Sequence, residues 1–237
     1  MTNEKSEKKR RPRSFKIIPM KNKVILFDQD GTLLDSAPGI KHCAQETLRK
    51  LGYPVPEKKD LDYFIGPPLR DCFRLSNVQE EDIEQAVGLY RELYENEGKY
   101  NAKVYPTVEE GLKSLKQAGY RLFVCTSKNG NLAKDILFKF GLNQYFEQVF
   151  GSTSDGVGAR KGEIIRHCLS YIKEEADVLM IGDTHLDAEG ANQNGIPCLL
   201  VRFGYGDEKK IEQQHPYATI DSYFEIEPIF KRIYGNE

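Results

Sequence analysis

The chain has no long apolar run, and this absence excludes a membrane-spanning helix, which needs about 20 consecutive apolar residues. It also has no apolar segment of the kind found in secretory signal peptides. Tryptophan is absent, which by itself excludes no class of protein. With 39% hydrophobic residues in 237, the chain can still bury a sizeable core. The composition therefore predicts a soluble protein with no membrane partner.

Cysteines are few and scattered. The five cysteines are odd in number, form no C-x-x-C pair and lie mostly in apolar stretches. Secreted proteins stabilised by disulfides use regularly spaced, even sets of cysteines instead. We therefore expect reduced, packed thiols and a cytoplasmic location.

Basic residues are concentrated at the amino terminus. Residues 1–16 hold seven Lys or Arg and two Glu, a net charge of +5, whereas the rest of the chain carries −7. A basic tail could contact nucleic acid or an anionic membrane. The favoured interpretation is a disordered tail at residues 1–19, with no nucleic-acid partner elsewhere in the chain. We expect the functional domain to begin near Met20.

The most informative segment is an apolar strand that runs directly into two aspartates. Residues 24–27 (Val-Ile-Leu-Phe) predict a strand buried on both faces, as in a parallel sheet. Asp28 and Asp30 follow it, where ligands bind in such sheets, and alternate side chains of an extended chain point the same way. Two carboxylates this close are tolerated when a hard cation such as Mg²⁺ lies between them. Taken alone, the motif also fits a solvated, Asp-rich turn.

Two further segments carry groups suited to an anion. Thr126 follows the predicted strand of residues 121–125, where a hydroxyl can donate to a phosphoryl oxygen. Lys161 opens an amphipathic helix, and a cation is disfavoured there unless an anion binds beside it. Each segment alone also fits an ordinary turn or a solvated lysine.

A second pair of carboxylates, Asp183 and Asp187, follows the predicted strand of residues 178–181. In order along the chain, these four segments resemble the four motifs of the haloacid dehalogenase (HAD) superfamily, whose commonest members are phosphatases. The resemblance extends over about residues 20–235. Four motifs in order are far more specific than any one of them.

Predicted strands and helices alternate from residue 103 onward, and this alternation predicts an α/β fold with a parallel sheet. Residues 37–102 predict helices alone, because apolar residues recur there at helical spacing. We expect a Rossmann-like, doubly wound core formed by residues 20–36 and 103–237, with an inserted all-helical cap domain at residues 37–102. The pattern Thr107-x-x-Glu110 predicts a capping box at one core helix.

The resemblance implies a phosphomonoester hydrolase that acts through an aspartyl-phosphate intermediate. In that scheme Asp28 attacks phosphorus, and Asp30 protonates the departing alcohol and later deprotonates water. Thr126 and Lys161 hold the phosphoryl oxygens. These four are the predicted catalytic residues.

The resemblance also implies Mg²⁺ as the cofactor. Its ligands would be a carboxylate oxygen of Asp28, the backbone carbonyl of Asp30 and the carboxylate of Asp183, with Asp187 supporting that shell. Asp30 argues against a dehalogenase, which needs no proton for a leaving alcohol. The spacing of Asp183 and Asp187 is the phosphatase form of the fourth motif, so a sugar phosphate mutase is the weaker interpretation.

Substrate choice is expected to depend on the helical insertion. The segment of residues 65–71 (Ile-Gly-Pro-Pro-Leu-Arg-Asp) resembles the substrate loop of the family's cap. Arg70 could therefore meet a substrate anion, and Tyr63 or Phe64 could stack on a ring. A surface arginine and core aromatics are the alternative.

Two substrate classes and one non-enzymatic role are left open. Residues 65–68, Thr126-Ser127-Lys128 and the pattern Gly-Ser-x-x-Asp-Gly at residues 151–156 look closest to HAD-like 5′-nucleotidases. Phosphoglycolate phosphatases are the alternative, in which Lys128 would pair with a substrate carboxylate. Ser127 and Lys128 are candidate substrate contacts in either case. A catalytically silent binding module is disfavoured because the expected side chains are all present, and the sequence carries no signal for an oligomeric state.

Overall fold

The computed structural model of the protein describes residues 22–153, 158 and 160–235. The expected disordered tail at residues 1–19 and the expected start at Met20 lie outside the described residues, as do Asp155 and Gly156. No helix among the described residues is long and apolar enough to cross a membrane. All five cysteines are buried and free, which confirms the prediction of reduced, packed thiols.

Six parallel strands form the central sheet, in the order β5-β4-β1-β6-β7-β8, and two further strands form a separate antiparallel ribbon. In chain order the strands are β1 Asn22–Phe27, β2 Leu34–Asp35, β3 Lys103–Val104, β4 Arg121–Asn129, β5 Gln148–Ser152, β6 Ala176–Gly182, β7 Cys198–Val201 and β8 Ala218–Ile220.

Helices cover the sheet and form the segment between β2 and β3. They are α1 Ala37–Lys50, α2 Leu69–Leu75, α3 Ile83–Leu93, α4 Val108–Gln117, α5 Gly130–Lys139, α6 Lys161–Tyr171, α7 His185–Gln193, α8 Glu208–Glu212 and α9 Ile226–Tyr234. A π turn at Tyr94–Gly98 continues α3. The elements from α8 to α9 lie beyond the last strand that the sequence predicted.

Strand β1 lies inside the sheet and pairs in parallel with β4 on one side and with β6 on the other. Phe27 is opposite Val124 of β4 on one side and Ile181 of β6 on the other. The chain order reverses at β1, since β4 and β5 extend to one side and β6 to β8 to the other. In sheets of this kind the ligand crevice lies beyond the strand ends at that reversal.

Alternating side chains of β1 enter two apolar layers. Ile25 and Phe27 pack with residues of α4, α5 and α9, whereas Val24 and Leu26 pack with residues of α6 and α7. All four side chains are fully buried, and burial of each stabilises the fold by about 1.5–3 kcal/mol. Helices on both faces of a parallel sheet confirm the predicted doubly wound α/β fold.

Residues 37–102 form helices and turns with no strand, as predicted; this segment is called the helical insertion below. Its two ends meet at the ribbon, where Leu34 of β2 is opposite Val104 of β3. Within it, Phe64, Phe73 and Tyr90 pack as a buried aromatic cluster, with ring centres 5.2–6.4 Å apart. The assignment of residues 20–36 and 103–237 to one core domain and of residues 37–102 to a cap domain stays a prediction.

The predicted capping box at Thr107 is wrong. Thr107 has a left-handed backbone, with φ of 65°, and makes no side-chain bond to its own helix. Its hydroxyl accepts instead from the backbone N–H of Tyr223, 3.2 Å away. The Thr107 hydroxyl, which the local pattern assigned to its own helix, therefore bonds to a distant part of the chain.

Gln29 is an exception to the rule that buried polar groups find partners. Its side chain is fully buried, yet neither its amide nitrogen nor its oxygen has a hydrogen-bond partner among the described residues. Leaving such a group unpaired costs about 1–3 kcal/mol. An apolar side chain of similar shape would avoid this penalty.

We expect Gln29→Met to raise the free energy of unfolding by about 1 kcal/mol, because it removes an unpaired buried amide at nearly constant volume. Urea denaturation measures this directly. Gln45→Met is the matched control, since the Gln45 amide donates to the Pro56 carbonyl at 2.8 Å and its loss should lower stability. A destabilised Gln29→Met protein would mean that the amide is satisfied by a bound water.

Candidate functional site

A tight turn carries the two aspartates beyond β1. The backbone N–H groups of residues 32, 33 and 34 all approach the Gln29 carbonyl, at 3.4, 2.9 and 3.0 Å. Gly31 has a φ of 81°, and a Cβ at this position would collide with the Asp183 carboxylate. Glycine is therefore required both for the turn and for the close approach of the two motifs.

Lys161 links two of the predicted motifs. Its ammonium nitrogen lies 2.7 Å from Asp28 Oδ1 and 2.8 Å from Asp187 Oδ1, and it donates to the Cys125 carbonyl at 3.0 Å. Burial favours the neutral amine, but the two carboxylates outweigh it and raise the pKa of Lys161 above its usual value. A charged lysine at the start of α6 is thus held against the nucleophile candidate.

Asp187 accepts the capping hydrogen bonds at the start of α7. Its Oδ2 accepts from the backbone N–H groups of Asp183 and Thr184, at 3.2 and 3.0 Å, and from the Thr184 hydroxyl at 3.1 Å. Thr184 in turn completes a capping box with Asp187. Since its Oδ1 is paired with Lys161, Asp187 has both oxygens engaged and supports the site from behind.

Asp183 is completely buried and faces the turn after β1. Its Oδ2 accepts from the backbone N–H of Tyr205 at 2.8 Å, and its Oδ1 is 3.4 Å from the Thr32 hydroxyl. A Cβ on Gly204 would collide with the Asp183 side chain. The loop after β7 therefore reaches Asp183 only because it carries glycine there.

The carboxylates of Asp28, Asp183 and Asp187 form a cluster that could hold a metal ion. Each offers an oxygen, and these atoms lie within 4.8 Å of one another. Burial, with a further contribution from Asp187, raises the pKa of Asp28 from 3.8 to about 6 despite the opposing charge of Lys161. Burial and the charges of Asp187 and Asp28 raise the pKa of Asp183 well above its usual value. A divalent cation would relieve this repulsion, and oxygen ligands suit a hard one.

The end of β4 supplies the predicted hydroxyl and a second, nearly buried lysine. Thr126 is buried, and its Oγ1 accepts from the Lys128 backbone N–H at 3.3 Å. Lys128 Nζ lies 2.9 Å from Asp30 Oδ2 and donates to the Tyr94 hydroxyl at 2.7 Å. The lysine that was predicted to meet a substrate carboxylate is thus engaged by two groups of the protein itself.

A cavity of about 320 Å³ lies between the helical insertion and this edge of the sheet. Asp28, Asp30, Thr126, Ser127 and Lys128 line its polar side. Its apolar side is lined mainly by Ile40, Phe64, Pro67, Leu69, Tyr90 and Leu132. Pockets of this size and composition bind small organic molecules.

The predicted contacts from the helical insertion differ in outcome. Phe64 lines the cavity, but Tyr63 does not; its hydroxyl lies 2.9 Å from Ser76 Oγ. Arg70 also lines the cavity, and its guanidinium donates to Glu84 at 2.6 and 2.9 Å. Arg70 is therefore placed where a substrate could meet it, though already in an ion pair at the rim.

Sequence reasoning missed two tyrosines of the site. Tyr94 belongs to the apolar residues that recur at helical spacing in residues 37–102, a pattern that indicates core packing rather than a contact with Lys128. Tyr205 had no signal of its own, apart from the glycines on either side of it. Both act across large separations in sequence, which local patterns do not report.

Comparison with known proteins identifies relatives over most of the chain. A sequence profile described as haloacid dehalogenase-like hydrolase matches residues 25–201. The 5′-nucleotidase of Pseudomonas aeruginosa is 39% identical over 194 residues, which cover 81% of this chain and 88% of that protein. A phosphoglycolate phosphatase of Vibrio parahaemolyticus is 32% identical, covering 86% of this chain and 94% of that protein. The crystal structure of a predicted phosphatase from Clostridium acetobutylicum matches with a TM-score of 0.82 and 34% identity, covering 90% of this chain and 98% of that one.

Some relatives carry a different activity in their names. The tyrosine-protein kinase PtkA of Mycobacterium tuberculosis is 35% identical over 77% of this chain. The chain spans only 63% of the length of that kinase.

We expect Asp28→Asn to stabilise the metal-free protein more at pH 8 than at pH 5. The folded protein binds the Asp28 proton more tightly than the unfolded chain does, since the pKa rises from 3.8 to about 6. The resulting stability is complete below about pH 4 and is lost as the pH rises through 6. Asparagine does not ionise, so the variant avoids this loss of up to about 3 kcal/mol.

Urea denaturation in the presence of a chelator, at both pH values, measures the difference. Asp60→Asn is the control, because Asp60 is exposed, and its effect should be the same at pH 5 and pH 8. An Asp28→Asn effect that does not change with pH would contradict the expectation.

Proposed function

We propose a mechanism and a substrate class for this phosphatase, which belongs to the haloacid dehalogenase-like hydrolase family. The chain is proposed to hydrolyse nucleoside 5′-monophosphates through a phosphorylated aspartate. The observation that carries the proposal is that Asp28 and Asp30 line one end of a cavity whose remaining walls are largely apolar, with the Lys161 ammonium 2.7 Å from Asp28.

In the first step, a carboxylate oxygen of Asp28 forms a bond to phosphorus while the bond from phosphorus to the substrate oxygen breaks. The proton on Asp30 passes to the departing oxygen, so that the product leaves as an alcohol. Lys161 and Thr126 stabilise the negative charge on the phosphoryl oxygens. Lys161 is suited to this because its ammonium is fixed by Asp187 behind it.

In the second step, water attacks phosphorus and gives its proton to Asp30, now a carboxylate. The bond between phosphorus and Asp28 breaks, which releases inorganic phosphate and restores both aspartates. The same residue serves as acid and then as base because the two steps need opposite proton transfers at one place.

The acidic cluster fits Mg²⁺ as the resident cofactor. Asp28 and Asp183 each present a carboxylate, and the backbone carbonyl of Asp30 is proposed as a further ligand; Asp187, with both oxygens engaged, positions the others. Bound there, the ion would neutralise charge on the phosphoryl group and on the two carboxylates. Burial, with a further contribution from neighbouring carboxylates, raises the pKa values of Asp28 and Asp183, and a divalent cation bound there would favour their ionised forms.

The cavity favours a substrate with a large apolar part. Its volume of about 320 Å³ and its wall of Phe64, Tyr90 and Leu132 suit a nucleoside better than a two-carbon acid. Burial of the base against such a wall contributes about 25 cal/mol for each Å² removed from water. Ser127 and Arg70, which also line the cavity, are the proposed polar contacts.

Phosphoglycolate is the second candidate substrate, because relatives named phosphoglycolate phosphatase match most of the chain. Of the cations that line the cavity, Lys128 is the one that lies against Asp30. A glycolate carboxylate bound there would have to compete with Asp30 and Tyr94 for its ammonium. This contact makes phosphoglycolate the weaker candidate.

Asp28→Asn should lower the release of inorganic phosphate from p-nitrophenyl phosphate by about three orders of magnitude or more, because the nucleophile is removed. The wild-type rate should fall to background with a chelator and return with Mg²⁺. Asp60→Asn, at an exposed position, controls for the change of side chain. Full activity in folded Asp28→Asn would refute the assignment of Asp28 as the nucleophile. Transfer of the phosphoryl group to protein tyrosine, without hydrolysis, would instead favour a kinase.

For natural substrates, we expect kcat/KM for nucleoside 5′-monophosphates to exceed that for phosphoglycolate by about 10-fold or more, because only the nucleoside fills the apolar part of the cavity. Initial rates of phosphate release with Mg²⁺ across a panel of phosphomonoesters give the ratio. Leu132→Ala, which shortens that wall, should lower the ratio. A panel on which phosphoglycolate is hydrolysed as well as the nucleotides would overturn the substrate class.

A further inference from the structure

Three side chains outside the phosphoryl-binding groups join the helical insertion to the core. Lys128 extends from the end of β4, and Tyr94 begins the π turn after α3. The Lys128 ammonium lies 2.9 Å from Asp30 Oδ2, 2.7 Å from the Tyr94 hydroxyl and 4.5 Å from the centre of the Tyr94 ring. The Lys128 and Asp30 side chains are nearly buried, at 10% and 13% exposed.

The end of β4 is built to place this lysine. The pairing of β4 with β5 shifts register between Cys125 and Asn129, so the strand leaves its regular path at Lys128. Gly151 of β5 lies against the displaced backbone, and a Cβ there would be 2.5 Å from the Lys128 carbonyl oxygen. A glycine on the neighbouring strand thus permits the course that brings Lys128 to Asp30.

The two oxygens of Asp30 have different surroundings as a result. Lys128 holds Oδ2, whereas Oδ1 is buried with no hydrogen-bond partner in the part of the chain that the structure describes. Because Lys128 holds Oδ2, Oδ1 is the oxygen left to carry a transferable proton, on a residue that lines the cavity. An ammonium fixed by a carboxylate, a hydroxyl and a ring face has little freedom to turn towards a substrate.

We propose that Lys128 and Tyr94 are positioning residues for Asp30, which fix its carboxylate for proton transfer and make that orientation depend on the packing of the helical insertion. This inference rests on the proposed role of Asp30 as acid and base. Lys128 acts through Asp30 and does not bind a substrate carboxylate. Tyr94 makes the acid sensitive to the insertion, because the hydroxyl that holds the lysine belongs to the insertion while the lysine belongs to the core.

The test compares two leaving groups. A nucleoside 5′-monophosphate releases an alkoxide that must be protonated, whereas dinitrophenyl phosphate releases a stable phenolate that needs no proton. Since kcat/KM reports the first irreversible step, a misplaced acid lowers it for the nucleotide alone. For Tyr94→Phe and Lys128→Met we expect a loss of about 10-fold on the nucleotide and less than about 2-fold on dinitrophenyl phosphate.

Two further variants make the result decisive. Asp30→Asn should show the same selective loss, only larger, because it removes the acid itself. Tyr100→Phe is the matched control: its hydroxyl donates to Asp135 at 2.8 Å, another contact between insertion and core, but away from Lys128. We expect Tyr100→Phe to leave kcat/KM unchanged for both substrates. Tyr94→Phe keeps the aromatic ring, so it tests the inference even if Lys128→Met does not fold.

Equal losses on both substrates for Tyr94→Phe and Lys128→Met would mean a merely structural role and overturn the inference. A raised KM for the nucleotide with kcat unchanged would make Lys128 a substrate contact and also overturn it. If Asp30→Asn shows the selective loss and the other two do not, only the positioning role fails. If Asp30→Asn itself shows no selectivity, the proposed role of Asp30 fails, and this inference with it.

Discussion

Like charges buried together repel, and this repulsion organises one whole edge of the molecule. Asp28, Asp30, Asp183 and Asp187 converge where β1 and β6 end, with low exposure to water that could screen them. Their convergence follows from parallel pairing, because β1 and β6 run in the same direction and finish side by side. The two lysines of the site, and the N–H and hydroxyl groups that donate to Asp183 and Asp187, each reduce this repulsion.

The two lysines of the site pair with different aspartates. Lys161 lies between Asp28 and Asp187, on the side where phosphoryl oxygens are proposed to bind, and Lys128 lies against Asp30, on the side that faces the helical insertion. Neither could replace the other, since they start from different elements and approach from opposite sides. The proposed nucleophile and the proposed acid therefore have separate cations, so a change in the position of the insertion could affect Asp30 without displacing Asp28.

The sequence was sufficient for those parts of the fold and site that depend on local patterns. The strand of β1, the alternation after residue 103 and the helical character of residues 37–102 could be predicted because each has a clear periodicity. The four motifs could be identified because together, in order, they resemble those of a known family. Prediction from the sequence failed where contacts between distant segments determine the structure. The sequence predicted that β4 ends at Cys125, since polar residues follow, but pairing of Asn129 with Ser152 extends it. The Thr107 hydroxyl, Tyr94 and Tyr205 likewise have partners that no local pattern could indicate.

The ribbon of β2 and β3 has a consequence for how this architecture varies among proteins. Because residues 34 and 104 are partners, a segment of any length whose two ends match this pair can occupy the space between them without shifting the register of β1. The entropy of closing such an excursion rises only slowly with its length. Proteins that share this sheet could thus carry different insertions above the aspartates, and so act on different substrates, while the residues at the edge of the sheet stay the same.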